Sequence, residues 1–361
     1  MSLTLKTYFI DFLREIRLTE AQISELKAAH NTLRNRLESD SELKNIVVGT
    51  FLQGSYKRST AVRPKNGQRS DVDIIIVTNL DKDTITPEEA LDKFEPFLEK
   101  YYSGKYRKQG RSWGIEMSHV DLDIVPTSAP SEIEKNSLAN NFLNSDDGIE
   151  FDGEQNFYSN DKDSILDIFE KLNASSTWKE EPLYIPDCEA ETWDKTHPLE
   201  QIRWTIEKNR KCNKHYVNVV KALKWWRKEM YPELKHPKSY PLEHFIGDCC
   251  PDNIESVAEG IVLSLENIVN NYEKKPILPD RGVPEHDVFS RLTEEDYESF
   301  YENVKEAAKI ARAAYDSENI KEAALKWREL FGNKFPLPPE TVQKFTPRKE
   351  DSSNLEGGRF A

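Results

Sequence analysis

The sequence predicts an α+β protein with two lobes, a mixed helix-and-strand lobe followed by a helical lobe. Before Pro126, short runs of β-branched residues alternate with acidic residues, which is typical of strands in a sheet. From about Pro198 onward, apolar residues instead recur at steps of three and four, which is typical of helices. The length of 361 residues also suits two domains or one large two-lobed unit.

The composition is that of a folded protein with an acidic surface. Hydrophobic residues make up 37% of the chain, and 50 Lys and Arg against 64 Asp and Glu give a net charge of −14. This charge argues against binding to a long nucleic acid, although a local basic cleft is compatible with it. No apolar run approaches the ~18 residues of a spanning helix, so we expect no membrane segment.

The N-terminal residues and the cysteine content bear on the cellular location of the protein. The N-terminal residues include acids and lack a small-residue cleavage site, so we expect no signal peptide. Four cysteines in a chain of this length do not suggest a disulfide framework. Both features favour a reducing, cytoplasmic location.

The first long helix is predicted for residues 19–39. Apolar residues recur there at helical spacing, and Thr19 with Gln22 can form a capping box at its start. We expect this helix to brace both lobes. Three strands follow it, predicted from β-branched runs at residues 46–48, 71–77 and 116–125, of which the first ends at a Gly and the last at Pro126.

The second half of the chain is predicted to be helical. Apolar spacing predicts helices over residues 202–209, 217–230, 253–272, 293–315 and 317–331. Residues 135–165 are rich in Asn, Ser and Asp and are interpreted as a loop, and the polar C-terminal end as a flexible tail. These patterns divide the chain into a first lobe, a helical lobe and a tail at residues 1–165, 166–336 and 337–361.

Two acidic residues at the start of the second predicted strand indicate a metal site. Asp71 and Asp73 lie two positions apart, so a strand places both side chains on one face. They repel each other unless a cation lies between them. Two Mg²⁺ ions bridged by carboxylates would balance this charge and stabilise the attacking and leaving oxygens of a phosphoryl displacement.

The third predicted strand repeats the pattern. Asp121 and Asp123 share one face, and one of them completes a set of three carboxylates if the two strands are neighbours. Asp123 is favoured because it lies beside the apolar end of its strand. The alternative is that these acids lie on exposed edge strands without a catalytic role, since a single D-x-D pair is a weak motif.

A Gly-Ser turn lies between the first two strands. Gly54 allows close approach of the backbone to an anion, and Ser55 adds a hydroxyl group at the start of a helix. With the preceding Gln53 they form a candidate binding segment for nucleotide phosphates, and Lys57 and Arg58 add positive charge nearby. The alternative is an ordinary strand-to-helix turn.

The combination of Gly54-Ser55, Asp71-x-Asp73 and Asp123 resembles the signature of DNA polymerase β-like nucleotidyltransferases. The bacterial CD-NTases, relatives of cyclic GMP-AMP synthase and oligoadenylate synthase, are similar also in the run GSYKRSTAVRP that begins at Gly54. The resemblance covers most of the chain. It implies a bilobed nucleotidyltransferase fold, in which a mixed-sheet catalytic lobe is followed by a helical lobe like that of oligoadenylate synthase.

The resemblance extends into the helical lobe. Lys221 and Lys224 share one face of a predicted helix, and Ser239 and Tyr240 follow a short Pro-containing loop. In the related synthases the matching lysine and serine hold the triphosphate and the matching tyrosine stacks on a base. The resemblance therefore implies that Lys224 and Ser239 contact phosphates and that Tyr240 stacks, with Lys221 as a weaker phosphate candidate. One departure is the loop of residues 65–70, which lengthens the connection to the first acidic strand.

The function that the resemblance implies is synthesis of a cyclic di- or trinucleotide from NTPs, with ATP as the favoured substrate. Asp71 and Asp73 would hold two Mg²⁺ ions, for which Mn²⁺ could substitute, and Asp123 would assist deprotonation of the attacking ribose hydroxyl. A downstream effector would recognise the product in anti-phage defence. The alternatives are an RNA- or tRNA-tailing nucleotidyltransferase and a catalytically silent scaffold that acts through its tail.

The C-terminal sequence LEGGRFA is similar to ubiquitin-like C-termini. Some CD-NTases are conjugated through their C-terminus by a ubiquitin-transfer-like E1/E2 partner. The resemblance implies conjugation at Ala361, and glycines before it would let an extended tail enter a narrow active site. The alternative is a disordered end.

His244, Cys249, Cys250 and Cys188 are candidate zinc ligands. Zinc-binding cysteines are ordinarily spaced as C-x₂₋₄-C, so the adjacent pair fits this role poorly. The favoured interpretation is that these cysteines are buried or surface thiols.

Overall fold

The structure is a computed structural model that describes residues 4–65, 67–128 and 183–339. Its strands are β1 (Val47–Gln53), β2 (Ser70–Thr78), β3 (Tyr106–Lys108), β4 (Trp113–Glu116), β5 (Val120–Pro126), β6 (Leu183–Asp187) and β7 (Thr192–Thr196). Its helices are α1 (Lys6–Ile16), α2 (Glu20–Ser39), α3 (Gly54–Lys57), α4 (Pro87–Asp92), α5 (Glu95–Tyr102), α6 (Pro198–Lys211), α7 (Tyr216–Met230), α8 (Ser239–Cys249), α9 (Val257–Asn271), α10 (Glu294–Tyr315) and α11 (Ile320–Phe331). The predicted loop at 135–165, the boundary at residue 165 and the tail beyond residue 339 lie outside the described residues.

Five strands form one mixed sheet, in the order β1-β2-β5-β4-β3. β2 and β5 run parallel, and the other neighbours in this sheet are antiparallel. The prediction of one strand over residues 116–125 is wrong, because the N–H of Met117 donates to the carbonyl of Val120 (2.9 Å) and closes a turn. The exposed Ser118 and His119 lie in this turn, so β5 begins only at Val120 and runs beside β2.

Alternation along β2 directs its side chains to two different environments. Val72 and Ile74 belong to the core that α2 and α5 form with the sheet. Ile75 points to the opposite face and packs in a second core with Ile202 of α6. Asp73 precedes Ile75 on this second face, so the acidic end of the strand lies next to the helical lobe.

The two N-terminal helices belong to different cores. The predicted capping box of α2 is confirmed, since Thr19 Oγ1 accepts from the Gln22 N–H (3.2 Å) and Gln22 Oε1 accepts from the Thr19 N–H (2.9 Å). The buried side of α2 packs on the sheet. α1 instead packs among the C-terminal helices, where Phe12 stacks on Phe331 with ring centroids 4.6 Å apart. The prediction that the 19–39 helix braces both lobes is thus corrected, because α1 supplies the contact with the helical lobe.

The C-terminal half is helical, as predicted, but α6 extends beyond the predicted 202–209, α11 begins at Ile320 rather than at residue 317, and α8 is an additional helix. Pro241 lies in the first turn of α8. Proline is tolerated there, since N–H groups in the first turn of a helix have no intrahelical partner. The helix predicted over 253–272 begins later, because the Ser256 hydroxyl accepts from the Glu259 N–H (3.1 Å) and caps α9.

Within the described residues, no helix combines the length and the apolar composition needed to cross a membrane.

Candidate active site

The two acidic strands lie side by side in the sheet. The parallel register of β2 and β5 pairs Asp71 with Asp121 and Asp73 with Asp123. Paired residues of neighbouring strands point to the same face, so all four side chains leave the sheet on one side. The structure therefore brings together the carboxylates that the sequence predicts to converge.

Hydrogen bonds around β5 distinguish its two acids. Asp121 accepts a hydrogen bond from Arg69 (Nη1 to Oδ1, 3.0 Å), which also donates to Glu116 (3.2 Å). The charge of Asp121 is thus partly balanced within the protein. Asp123 accepts from the uncharged amide of Gln109 (3.0 Å), which leaves more of its charge for a cation. This difference favours Asp123 over Asp121 as the third metal ligand.

Burial and mutual repulsion make the carboxylate set unfavourable in the absence of a cation. Burial, followed by the charges of Asp71 and Asp123, raises the pKa of Asp73 to about 7. Burial and the charge of Asp71 also raise the pKa of Asp123. Carboxylate oxygens are the ligands that Mg²⁺ and Mn²⁺ prefer, so the donor set fits these ions. Among the described residues, no group of three or more His, Cys, Asp or Glu side chains is arranged to hold a metal ion, so the binding of Mg²⁺ by these carboxylates stays a prediction.

Replacing Asp73 by asparagine is expected to stabilise the metal-free protein at neutral and alkaline pH. The folded-state pKa of Asp73 lies above its unfolded value, so the folded form binds the proton more tightly. The contribution of Asp73 to the free energy of unfolding therefore falls as the pH rises from about 4 to about 7 in the wild type, and this contribution is absent from the variant. We expect Asp73→Asn to raise Tm by roughly 2–4 °C at pH 8, with little difference near pH 4.

Thermal unfolding in EDTA across this pH range checks the expectation. MgCl₂ should raise the Tm of the wild type and leave that of Asp73→Asn nearly unchanged. Asp83→Asn serves as the control, because Asp83 is 77% exposed. A Tm difference between the wild type and Asp73→Asn that does not depend on pH would contradict the assignment.

Gly54 lies against the acidic cluster. Its φ is +74°, and a Cβ atom at this position would lie 1.7 Å from Asp73 Oδ2. The preceding Gln53 pairs with Asp73 in the register of β1 and β2, which fixes the turn at this edge of the site. Glycine is therefore required for the close approach between the turn and the carboxylate. The contact of Gln53, Gly54 and Ser55 with phosphates stays a prediction.

Two adjoining cavities lie between the sheet and the helical lobe. The larger measures about 960 Å³ and the smaller about 660 Å³. Ser55, Asp71 and Ser239 line both of them. The other candidate residues of the larger cavity are Gln53, Gly54, Asp73 and Tyr240. Lys224 lines the smaller cavity, whereas Asp123 and Lys221 line neither. Lys221 and Lys224 are equally buried, so it is the absence of Lys221 from both cavity walls that does not support its predicted phosphate contact.

Tyr240 is held in place at the wall of the larger cavity. Its hydroxyl donates to Asp280 (2.6 Å), which also accepts from Gln201 (3.2 Å). The guanidinium carbon of Arg58 lies 5.1 Å from the centroid of the tyrosine ring, within the range of a cation–π contact. The ring therefore loses little freedom when a base stacks on it, which favours binding.

Comparisons with known proteins identify the family. Residues 3–144 match the SMODS family, the Second Messenger Oligonucleotide or Dinucleotide Synthetase domain. Two relatives are each 45% identical over 99% of this chain and 100% of their own length. They are the probable cyclic AMP-AMP-GMP nucleotide synthase of Salmonella paratyphi B and the cyclic AMP-AMP-GMP synthase of Enterobacter hormaechei subsp. hoffmannii. The chain is a bacterial CD-NTase. It is a nucleotidyltransferase of the cyclic oligonucleotide synthases, and its relatives give no support to the RNA-tailing or scaffold alternatives.

The fold of this CD-NTase agrees with that of a solved relative. The cyclic AMP-GMP synthase DncV of Vibrio cholerae, solved with the linear intermediate 5′-pppA(3′,5′)pG, matches with a TM-score of 0.68. The match covers 93% of this chain and 97% of DncV at 14% identity. The nucleotidyltransferase fold that the sequence predicts is thus confirmed.

A buried ion-pair network that the sequence did not predict joins the two lobes of the CD-NTase. Glu243 of α8 accepts hydrogen bonds from Arg58 Nε and Thr60 Oγ1, both at 2.7 Å, and its Oε2 lies 3.8 Å from Lys224 Nζ. Burial would raise the pKa of Glu243, but Arg58 and Lys224 outweigh it and hold this pKa below its ordinary value. The sequence feature that could have indicated this network is Glu243 itself, an acid among the apolar residues of the segment PLEHFI. Glu243 thus positions the lysine that is expected to contact phosphate.

Replacing Gly54 by alanine is expected to reduce product formation by this CD-NTase about 100-fold, since a displacement of 1 Å at a reacting centre has effects of this size. The added Cβ would overlap Asp73 and push the carboxylate or the turn out of place. Rates of product formation at saturating NTP check this expectation.

Gly104→Ala is the matched control. Gly104 has a similar φ of +71°, but its Cβ would meet no atom within 4 Å. The control therefore carries the same backbone strain without the contact. Equal losses of activity in both variants would show that strain alone, and not the overlap with Asp73, explains the effect.

The candidate zinc ligands of this CD-NTase do not converge. Cys249 and Cys250 are buried in the core of the helical lobe, whereas Cys188 packs against the core beneath the sheet. His244 Nε2 faces Asp248 at 3.6 Å. These three cysteines, and the buried Cys212 that was not a candidate ligand, are free thiols. Their positions support the favoured interpretation of structural thiols over that of a zinc site.

Proposed function

We propose that this CD-NTase synthesises a cyclic trinucleotide from two ATP and one GTP. The observation that carries the proposal is the 45% identity, over the full length, to two enzymes named for a cyclic AMP-AMP-GMP product. The sequence alone left a di- or trinucleotide open and favoured adenine, and the proposal selects the trinucleotide. A role of the product in anti-phage defence, through a downstream effector, belongs to the same proposal.

The proposed chemistry repeats one displacement. A ribose hydroxyl oxygen bonds to the α-phosphorus of an NTP while Asp123 would assist removal of the hydroxyl proton, the bond to pyrophosphate breaks, and the last displacement closes the ring. Asp71, Asp73 and Asp123 would hold two Mg²⁺ ions, which when bound lower the pKa of the attacking hydroxyl and stabilise the leaving pyrophosphate. Mn²⁺ is expected to substitute, because it accepts the same oxygen ligands.

The volume of the cleft favours the proposal that two nucleotides bind at once. The cavities of about 960 Å³ and about 660 Å³ together exceed the roughly 300–1,000 Å³ of a site for one small ligand. Ser55 and Ser239 at their border and Lys224 in the smaller cavity would bind the triphosphate. Tyr240 would stack on a base, which is worth ~1–3 kcal/mol and tolerates either purine.

Incubation of the enzyme with single and mixed radiolabelled NTPs tests the proposed function. Product resistant to phosphatase should form only when ATP and GTP are both present, with two labelled adenosines for each guanosine. Digestion with linkage-specific nucleases then defines the phosphodiester bonds. Equal yield from ATP alone, or a product of another composition, would contradict the proposal.

We further propose that the C-terminus is conjugated at Ala361, which lies outside the described residues. Removal of residues 357–361 is expected to leave the chemistry of the purified enzyme unchanged and to prevent covalent attachment in cells that express an E1/E2 partner. Immunoblots of the tagged enzyme for species of higher mass check this. The double substitution Ser352→Ala and Ser353→Ala, which keeps the terminal residues, is the control. Attachment that survives the truncation would disprove the tail proposal.

A further inference from the structure

The smaller cavity, of about 660 Å³, has a strongly cationic lining. Its basic side chains are Lys65, Arg69, Lys224, Arg227 and Lys228. The larger cavity is lined by seven basic and six acidic side chains, which nearly balance, whereas the smaller cavity has only two acidic side chains. Tyr240, Ile185 and Phe289 add apolar and aromatic surfaces to the larger cavity that suit a base and a sugar. A triphosphate carries several negative charges, so the smaller cavity is the better electrostatic match for it.

Two of these cations are already paired within the protein. Lys65 forms an ion pair with Glu229 of α7. Arg69 forms an ion pair with Asp121 (3.0 Å) on the sheet. Their charges are therefore largely compensated before any ligand enters the cavity.

Two further cations have partial compensation. Lys224 Nζ lies 3.8 Å from Glu243 Oε2, beyond hydrogen-bond distance. Arg227 Nη2 donates to the carbonyl oxygen of Leu234 (2.6 Å), which is a neutral acceptor. Both side chains are thus held in place while retaining charge for a ligand.

Lys228 differs from the other four. It is half-buried, and within the described part of the chain it has no hydrogen bond or ion pair. Burial lowers its pKa, and the charge of Asp71 opposes this effect, which places the ammonium group near the acidic cluster. A partly buried cation without a partner is unfavourable, and an incoming anion relieves this penalty.

The position of Lys228 on α7 suits an extended anion. It follows Lys224 by four residues, which corresponds to about 6 Å along a helix and to the same helix face. Ser55 and Ser239 line both cavities and so lie at their border, whereas Lys224 and Lys228 line only the smaller one. A chain of phosphates that begins at this border and passes Lys224 would therefore approach Lys228.

We propose that Lys228 binds the terminal phosphates of the NTP substrate in the smaller cavity, while the base and the sugar occupy the larger one. The inference rests on the proposed function and adds a residue to its substrate site. It also makes the smaller cavity the place from which pyrophosphate departs after each displacement.

Isothermal titration with inorganic tripolyphosphate, in EDTA, tests the proposal without catalysis. Lys228→Met is expected to weaken binding by about 10-fold, the usual effect of losing one charged hydrogen bond, whereas Lys228→Arg should retain most of the affinity. Lys211→Met is the control, because Lys211 is 47% exposed on α6 and pairs with Glu207 (3.2 Å). Tm should not fall in Lys228→Met, since the lysine has no partner to lose.

Kinetics provide a second readout. KM for ATP should rise by about the same factor in Lys228→Met with a smaller change in kcat, because the contact exists before the transition state. Unchanged tripolyphosphate affinity in Lys228→Met, or an equal loss in Lys211→Met, would overturn the proposal. A failure of the proposed function can be told apart from a failure of the Lys228 proposal. In the first case the wild type would yield no AMP-AMP-GMP product, while tripolyphosphate binding would still depend on Lys228.

Discussion

The double substitution Asp71→Asn and Asp73→Asn is expected to abolish product formation, with residual activity below about one part in a thousand. Asparagine keeps the shape of the side chains but removes both negative charges, so the site can no longer hold divalent cations. The fold should persist, because the hydrophobic residues of β2 are unchanged and because the burial of a charge and the repulsion that raise the pKa of Asp73 are both removed. Product formation from ATP and GTP with MgCl₂, together with thermal unfolding, measures both effects.

Single substitutions on β5 sharpen this test. Asp123→Asn is expected to lose most activity, whereas Asp121→Asn should lose much less, because Arg69 already balances Asp121. Asp83→Asn, at an exposed position, is the control for handling and purity. NTP consumption by the double variant at the wild-type rate would show that the catalytic site lies elsewhere.

Glu243→Ala is expected to destabilise the protein by about 3–5 kcal/mol, the usual effect of removing one partner of a buried ion pair. The substitution leaves Arg58 and Lys224 buried without their carboxylate, as both are at most 7% exposed. Burial already lowers the pKa of Lys224, with Glu243 opposing it, so the lysine should also lose charge in the variant. Chemical denaturation gives the free energy of unfolding, and KM for ATP reports the effect on the site.

The matched comparison is with an ion pair at the surface. Glu266→Ala removes one of the two acidic partners of Arg312, in a pair that is about one-third exposed, and should change stability by less than about 1 kcal/mol. Glu243→Gln should be milder than Glu243→Ala, because the amide oxygen can still accept from Thr60. If Glu243→Ala and Glu266→Ala had similar effects, the buried network would not be what joins the lobes.

The acidic site could be predicted from the sequence because its signal is local. Asp71 and Asp73 are separated by two positions in a strand that continues with buried β-branched residues, so alternation alone places them on one face. The pairing of β2 with β5 could not be predicted in this way. β3 and β4 lie between β2 and β5 in the chain, so the parallel register of Asp73 with Asp123 arises only from the assembled sheet.

The features that the sequence did not predict depend on long-range packing. Arg58 and Glu243 are 185 positions apart, and neither residue type indicates a buried partner when considered alone. The apolar side of α1 includes Phe9 and Phe12, which fit any core of sufficient size. Only the packing of Phe9 on Trp327, with centroids 5.0 Å apart, assigns α1 to the helical lobe.

The different positions of Lys221 and Lys224 also depend on packing that the sequence does not show. They share a helix face by spacing, so the sequence treats both as candidates for phosphate contact. In the structure Lys224 lines a cavity and Lys221 does not, because the rotation of α7 is set by the apolar residues that surround them. Lys228, which the sequence did not select, lines the cavity instead.

Carboxylates from two neighbouring strands are expected to share divalent cations beside the Gly-Ser turn. Anomalous scattering from crystals of the enzyme soaked with MnCl₂ and a non-hydrolysable ATP analogue measures this directly. We expect manganese peaks within ligand distance of Asp71 and Asp73, with Asp123 bound to one of them. Peaks that avoid these three carboxylates, while the analogue is bound in the cleft, would contradict the account.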